Sequence, residues 1–230
     1  MNSFRLTVLI LLLSITNSIF SQQNLNSQFT VVVDAGHGGK DPGNTGNGYL
    51  EKKIALSIAL KLGKKLEENG VKVVYTRKSD VFVNLFERAN IANRSNAQLF
   101  ISIHCDSHTS QAYGAGTFVL GLHANQRNFE VAKKENSVIF FEEDYINKYE
   151  GFDPNNPESV IGLTLMQEEY LDQSIVAASY IQNSFVNRLK RRNRTVKQAG
   201  FIVLKYTYMP SVLVETGFLT NNSEGAYLNS

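Results

Sequence analysis

The sequence predicts one α/β domain built on a mostly parallel or mixed six-stranded sheet with helices on both faces. Short apolar runs rich in β-branched residues recur along the chain, as expected for strands buried on both faces. Amphipathic stretches with helical spacing separate them, and this alternation favours a sheet covered by helices. A length of 230 residues with 43% apolar residues is enough for one such core.

The predicted strands follow one another in the order FTVVVDAG, VKVVYTR, LFISIH, GTFVLG, FIVLK and PSVLVETG. Between the first two strands, apolar residues four positions apart predict a helix with one buried face. Gly70 suits the C-terminal cap of this helix. NLFERANIAN predicts a second helix, and the stretch from Ser159 to Arg188 predicts a long third one.

The N-terminus is typical of a secretory signal. Arg5 precedes the apolar run LTVLILLLSI, and Ser21 is a small residue at the expected cleavage site. The alternative is a membrane anchor, but the run is shorter than the ~20 apolar residues that a membrane-spanning helix needs. We therefore expect residues 1–21 to be a signal peptide and residues 22–230 to form the folded domain, secreted across the inner membrane.

The remaining composition limits the partners of the chain. A net charge of +2 is too small to indicate a nucleic-acid partner. The basic run from Lys190 to Lys197 is typical of a solvated helix end, and contact with an anionic wall polymer is the alternative. One cysteine excludes an intramolecular disulfide. We expect a monomer without a membrane span once the signal is removed.

Four polar residues are predicted to meet at one edge of the sheet. His37 follows the first strand, Glu51 opens the first helix, and His104 and Glu215 end two further strands. Two imidazoles and one carboxylate are the ligand set of a catalytic zinc ion that keeps a fourth position for water. A second carboxylate near that water would be its general base.

Each of these residues also has an ordinary explanation when it is taken alone. A histidine after a strand is often a satisfied hydrogen-bonding residue, and a glutamate in a first helical turn is favoured by the helix dipole. Glu215 lies among apolar residues, where an unpaired charge would be costly. It is the coincidence of all four at one edge that favours a site.

Several segments resemble the zinc-dependent N-acetylmuramoyl-L-alanine amidases. In chain order they are VVVDAGHGGKDPGNTG followed by Glu51, then TRKSD, the LxxRxxxAN pattern that starts at Leu85, LFISIH, QAGFIVLK and MPSVLVETGFLTN. The resemblance runs from Phe29 to Glu224. It implies hydrolysis of the amide between N-acetylmuramic acid and L-alanine in peptidoglycan, during wall remodelling or daughter-cell separation.

The resemblance also implies roles for the four residues. His37, Glu51 and His104 match the zinc ligands of the family, and Glu215 matches its catalytic glutamate, the general base for a zinc-bound water. The glycines around His37 allow a sharp turn that points this side chain into the site. Asp34, or a carbonyl of that loop, is expected to orient the His37 ring, although simple turn formation is an alternative for Asp34.

The sequence departs from the family in two places. After SIH the family has a small residue and then Asn, whereas this chain has Cys105 and Asp106. Cys105 should point away from the side that His104 occupies, so burial is favoured over a role as thiol nucleophile or ligand. The family also continues into a last helix, but this chain stops at Ser230, so we expect that helix to be missing.

Residues 122–157 form a charged insertion between the fourth strand and the long helix. The stretch AKKENSVIFFEEDY, including its Glu-Asn pair at Glu135 and Asn136, resembles an element that covers the zinc site in some of these amidases until an activator protein removes it. Glu142 or Glu143 is the expected occupant of the open zinc position. An ordinary charged surface loop is the alternative.

Two other functions remain open at this stage. A metal-free wall-binding module would keep the fold and lose catalysis. A wall carboxypeptidase could use the same ligands, because ligands alone do not select the scissile bond.

Overall fold

The computed structural model describes residues 28–122, 125–160 and 168–230. The strands are β1 (Thr30–Ala35), β2 (Thr45–Gly46), β3 (Tyr49–Leu50), β4 (Lys72–Tyr75), β5 (Leu99–Asp106), β6 (Ala115–Leu120), β7 (Asn193–Ala199) and β8 (Ser211–Phe218). The helices are α1 (Glu51–Glu68), α2 (Leu85–Arg94), α3 (Gln126–Asn136), α4 (Tyr145–Lys148), α5 (Glu168–Asn187), α6 (Ile202–Lys205) and α7 (Asn222–Leu228). The predicted signal peptide lies outside the described residues.

Six strands form a mixed sheet, as predicted, and their order is β4-β1-β5-β8-β6-β7. All neighbouring pairs are parallel except β6 and β8, which run antiparallel. The carboxyl ends of β1, β5 and β8 therefore meet at one edge of the sheet. This is the edge at which open α/β sheets place their sites.

Alternation along each central strand divides the core into two layers. Val31 and Val33 face the layer that contains α1 and α5, whereas Val32 faces the layer that contains α2, α3 and α6. The same period of two places Phe100 of β5 and Leu213 of β8 in the second layer. By the same alternation, His104 shares a face with Phe100 on β5, and Glu215 shares that face with Leu213 on β8. This is the face that α3 covers.

One predicted strand is wrong. The run FIVLK does not join the sheet: Ile202–Lys205 form the short helix α6, and the edge strand is β7, just before it. Phe201, Ile202 and Leu204 are all buried, and a short apolar run of this kind does not distinguish a strand from a buried helical turn. The true strand, β7, was not predicted because its sequence is polar. An edge strand is only partly covered by other elements, so it can contain polar residues.

The insertion and the chain end add helices but no strands to the main sheet. In the insertion, Ala132, Val138 and Ile139 are buried in the second layer. Helix α7 starts after Asn221, whose side chain accepts hydrogen bonds from the backbone of Ser223 and Glu224. The segment that was expected to precede a missing helix therefore already begins a helix of its own.

The described part of the long third helix begins at Glu168. No helix in the described ranges is long and apolar enough to cross a membrane.

Candidate active site

The loop after β1 brings two strand ends into close contact. His37 has a φ of 59°, and Gly38, which follows it, has a φ of 125°, conformations that glycine adopts freely and other residues rarely. Gly36 is required for a different reason. A Cβ added there would lie 2.5 Å from the His104 ring, so only glycine lets the β1 backbone pass this close to His104.

The three predicted ligands, His37, Glu51 and His104, do come together. Nε2 of His37 lies 3.2 Å from Oε2 of Glu51, and Nδ1 of His104 lies 3.1 Å from Oε1 of Glu51. The two imidazole rings meet edge to face with centroids 4.8 Å apart. All three side chains are buried, so their charges interact in a medium that screens them weakly.

Two backbone amides hold the Glu51 carboxylate in place. Cys105 N–H donates to Oε1 at 2.9 Å, and Asn44 N–H donates to Oε2 at 2.8 Å. Burial alone would raise the pKa of Glu51, but His37 and His104 outweigh it and hold this pKa well below its usual range. The first residue of α1 is thus a fixed anion at the centre of the site.

Asp41, which the sequence analysis did not identify, orients His37. Nδ1 of His37 donates to Oδ2 of Asp41 at 2.7 Å, which leaves Nε2 as the nitrogen that faces Glu51. A carboxylate on the remote ring nitrogen is the usual way to fix the tautomer of a metal-binding histidine. The spacing of four residues within the glycine-rich loop was the available signal.

Asp34, which was expected to orient His37, has a structural role instead. Its carboxylate pairs with Arg88 Nη1 at 2.7 Å and accepts hydrogen bonds from Thr76 and Ser102. Arg88 in turn donates to the carbonyl of His37 at 2.8 Å. Arg88 belongs to the LxxRxxxAN pattern, and this buried pair ties α2 to the end of β1.

A second carboxylate, Glu135 of α3, completes the cluster. Its Oε2 lies 3.0 Å from Nε2 of His37 and 2.9 Å from Nδ1 of His104. The expected residues, Glu142 and Glu143, are wrong. Glu142 accepts hydrogen bonds from Lys148 and Tyr149, and Glu143 is exposed.

The two glutamates act together on both histidines. Burial opposes protonation of His37, but Glu51 and Glu135 raise its pKa well above the usual range. At His104 burial again acts in the opposite direction, and Glu135 with Glu51 raises the pKa to about 9. Either a proton or a cation is therefore needed to balance the two carboxylates.

The cluster has the features of a metal site. His37, Glu51, His104 and Glu135 each offer one ligand atom, and these atoms all lie within 4.8 Å of one another. Nε2 of His37 and Oε2 of Glu135 have no hydrogen-bond partner although both are buried. Buried polar atoms are normally paired, so two that face each other without a hydrogen bond fit a divalent cation between them.

Glu215 lies beside this cluster. It is the direct neighbour of His104 across the β5–β8 ladder, it is buried, and neither of its carboxylate oxygens has a hydrogen-bond partner. Burial, and then the charges of Asp106 and Glu135, raise the pKa of Glu215 well above its usual range. An unpaired carboxylate next to a candidate metal site is equipped to accept a proton.

Comparisons with known proteins identify the family of the chain. The family model described as N-acetylmuramoyl-L-alanine amidase matches residues 31–230. The chain belongs to this family, and it is an N-acetylmuramoyl-L-alanine amidase.

Individual relatives support the assignment. The amidase AmiA of Escherichia coli strain K12 is 34% identical over 205 residues, which cover 87% of this chain and 69% of AmiA. The crystal structure of an amidase from Clostridium difficile 630 has a TM-score of 0.65 at 27% identity and covers 88% of this chain and 87% of its own. The amidase AmiC2 of Nostoc punctiforme has a TM-score of 0.57 at 29% identity, covering 89% of this chain and 87% of its own.

The two residues that depart from the family pattern have different surroundings in the amidase. Cys105 packs with Ile54, Leu219 and Leu228 on the opposite side of the sheet from His104, as predicted. Asp106 lines a small cavity together with Glu215. Burial, with Glu135 and Glu51 nearby, raises the pKa of Asp106 to about 6.

We predict that Asp41→Asn weakens metal binding by about 10- to 100-fold, the usual effect of losing such a partner. The amide can still accept from His37 but no longer supplies the negative charge. Competition with a chromogenic chelator measures the affinity, and Asp144→Asn, at an exposed position far along the chain, is the control. An unchanged affinity for Asp41→Asn would remove Asp41 from the site.

Proposed function

We propose that this amidase cleaves the bond between N-acetylmuramic acid and L-alanine with a zinc ion held by His37, Glu51 and His104. The observation that carries the proposal is the convergence of these three buried side chains on one point at the sheet edge. Two imidazoles and a carboxylate suit zinc. When bound, zinc would polarise the scissile carbonyl and lower the pKa of a water toward ~7.

Glu215 is the proposed general base. It would take the proton of the attacking water and pass it to the nitrogen of L-alanine as the amide bond breaks. The buried, unpaired carboxylate lies on the neighbouring strand, directly opposite His104, which supports a place beside the zinc-bound water and outside the set of three ligands. Its raised pKa suits a group that must hold a proton before releasing it.

We predict that Glu215→Gln keeps zinc content unchanged and lowers turnover by roughly 10²- to 10⁴-fold, the usual contribution of a positioned acid–base group. The control is Cys105→Ala, which removes the rival nucleophile and should retain turnover. Mass spectrometry of digested peptidoglycan gives both the rate and the product. Loss of zinc in Glu215→Gln would make Glu215 a ligand, and release of terminal D-alanine would identify a carboxypeptidase.

We also propose that the insertion holds the enzyme in a resting state. A catalytic zinc keeps one position open for water, whereas four protein ligands make a closed, structural type of site. Glu135 approaches both imidazoles and would supply that fourth ligand. Residues 122–157 are therefore the proposed regulatory element.

Side-chain hydrogen bonds hold α3 over the site, which supports its role as the blocking element. Asn136 Nδ2–H donates to the carbonyl of Gly200 at 2.7 Å, and its Oδ1 accepts from Ile202 N–H at 2.9 Å. Asn128 donates to the carbonyl of Gln198 at 3.2 Å. Opening the site requires the loss of these hydrogen bonds and of the buried contacts of Phe129 and Ala132. We propose that binding of an activator protein supplies the free energy for this displacement.

We predict that Glu135→Ala raises basal hydrolysis by about tenfold or more. Without the Glu135 carboxylate the blocked state is less stable, so a larger fraction of the molecules is able to bind substrate. Glu130→Ala, an exposed glutamate on the same helix, is the matched control and should change nothing. Equal rates for both variants in a dye-release assay on peptidoglycan would contradict the proposed block.

The remaining proposals concern the setting of the reaction. Residues 1–21 are proposed to direct secretion, and residues 22–230 to act as a monomeric catalytic domain on peptidoglycan in the periplasm or at the cell wall. Wall remodelling or daughter-cell separation is the proposed role. The family membership supports this setting because the substrate is the wall itself.

A further inference from the structure

Three cationic side chains surround a cavity next to Glu215. Arg127 comes from α3, and Arg194 and Lys197 come from β7; all three line the same small cavity as Asp106 and Glu215. Within the described ranges, the ion pairs of lysine and arginine involve other residues. The cluster therefore holds three positive charges without a partner at salt-bridge distance.

The positions of the two β7 cations are fixed by aromatic rings and by a glycine. The ammonium of Lys197 lies 4.7 Å from the centre of the Phe118 ring, and the guanidinium of Arg194 lies 5.0 Å from that of Phe218. A Cβ on Gly116 would come within 3.1 Å of Lys197 Nζ. Gly116 thus leaves the space through which Lys197 reaches across β6.

The Lys197 side chain extends across β6 toward Glu215, the proposed general base. Gly116 of β6 is the register partner of Glu215 of β8, so Lys197 lies over the strand that separates β7 from Glu215. Burial, and then repulsion from Arg127, lowers the pKa of Lys197 to about 8, although Glu215 and Asp106 act in the opposite direction. The two carboxylates of the cavity therefore do not satisfy the cations.

We propose that Lys197 and Arg194 of β7 form a subsite for a carboxylate on the stem peptide, one residue beyond the scissile amide, which opens when α3 and its Arg127 leave the cavity. The inference rests on the proposed role of Glu215. A residue spans at most ~3.3–3.6 Å of extended chain, so a group one residue beyond an amide at Glu215 falls beside it. In peptidoglycan that residue is commonly D-glutamate joined through its side chain, which leaves its α-carboxylate free.

Arginine and lysine are suited to this ligand. Charge-assisted hydrogen bonds to a carboxylate are about twice as strong as neutral ones, and they would be formed only when the substrate is bound. An α-carboxamide at the same position would leave the cations unpaired. The subsite would therefore make the amidase discriminate between stem peptides that carry the free acid and those that carry the amide.

The test is calorimetric titration of a folded Glu135→Ala parent chain, in which the proposed block is relieved, with two synthetic peptides, L-Ala-γ-D-Glu-L-Lys and its α-carboxamide counterpart. The acid should bind at least about tenfold more tightly, as one or two charge-assisted bonds provide. Lys197→Met, which keeps a side chain of similar length but removes the charge, should abolish the difference. Lys197→Arg should restore it, and Lys190→Met, an exposed lysine near β7, should leave it intact.

Equal affinity of the parent chain for both peptides, or no binding of either, would overturn the inference. An equal loss for both peptides in Lys197→Met would also do so. Arg194→Gln provides a second variant in case Lys197→Met fails to fold. Because no turnover is involved, selective binding by a chain that hydrolyses nothing would contradict the proposed function and leave the subsite standing.

Discussion

The structure of the active site depends on the need to balance the charges of buried side chains. Two carboxylates and two imidazoles meet at the end of the sheet, where none of them is more than slightly exposed. Isolated buried charges are too costly to persist, so the cluster must hold either protons or a cation. The zinc proposal uses all four groups and gives a partner to the two unpaired atoms among them, His37 Nε2 and Glu135 Oε2.

The fold brings these groups together from distant parts of the sequence. Parallel pairing of β1, β5 and β8 aligns their ends, and the alternation of side chains sends His104 and Glu215 to the same face. Gly36 then lets β1 pass close to the His104 ring. The Asp34–Arg88 pair holds the loop that carries His37, so a structural ion pair positions a functional residue.

The sequence was sufficient for the sheet, for the meeting of His37, Glu51 and His104, and for the burial of Cys105. These follow from period-two alternation and from the rule that parallel strands share an edge. It was insufficient for β7 and α6, because an edge strand can be polar and a buried helical turn can be wholly apolar. In both cases tertiary burial overrides local pattern.

The roles of Asp41 and Glu135 in the site were not predicted, for a related reason. The role of Asp41 depends on the unusual φ of His37, which folds the loop back on itself. The insertion was recognised as a possible cover from its Glu135–Asn136 pair, but residues 132–145 contain three glutamates, and only the angle at which α3 packs selects Glu135 over Glu142 and Glu143. The orientation of α3 is set by the packing of Ala132, Val138 and Ile139 in the core, and spacing along the chain does not reveal it.

The central claim is that one zinc ion joins the sheet edge to the insertion. Anomalous diffraction at the zinc edge, from crystals of the zinc-loaded mature chain, tests it most directly. The account predicts a single peak bonded to His37 Nε2, Glu51 and His104 Nδ1, with the Glu135 carboxylate as the fourth ligand. A peak elsewhere, or a peak at this site with Glu135 turned away and water in its place, would contradict the account.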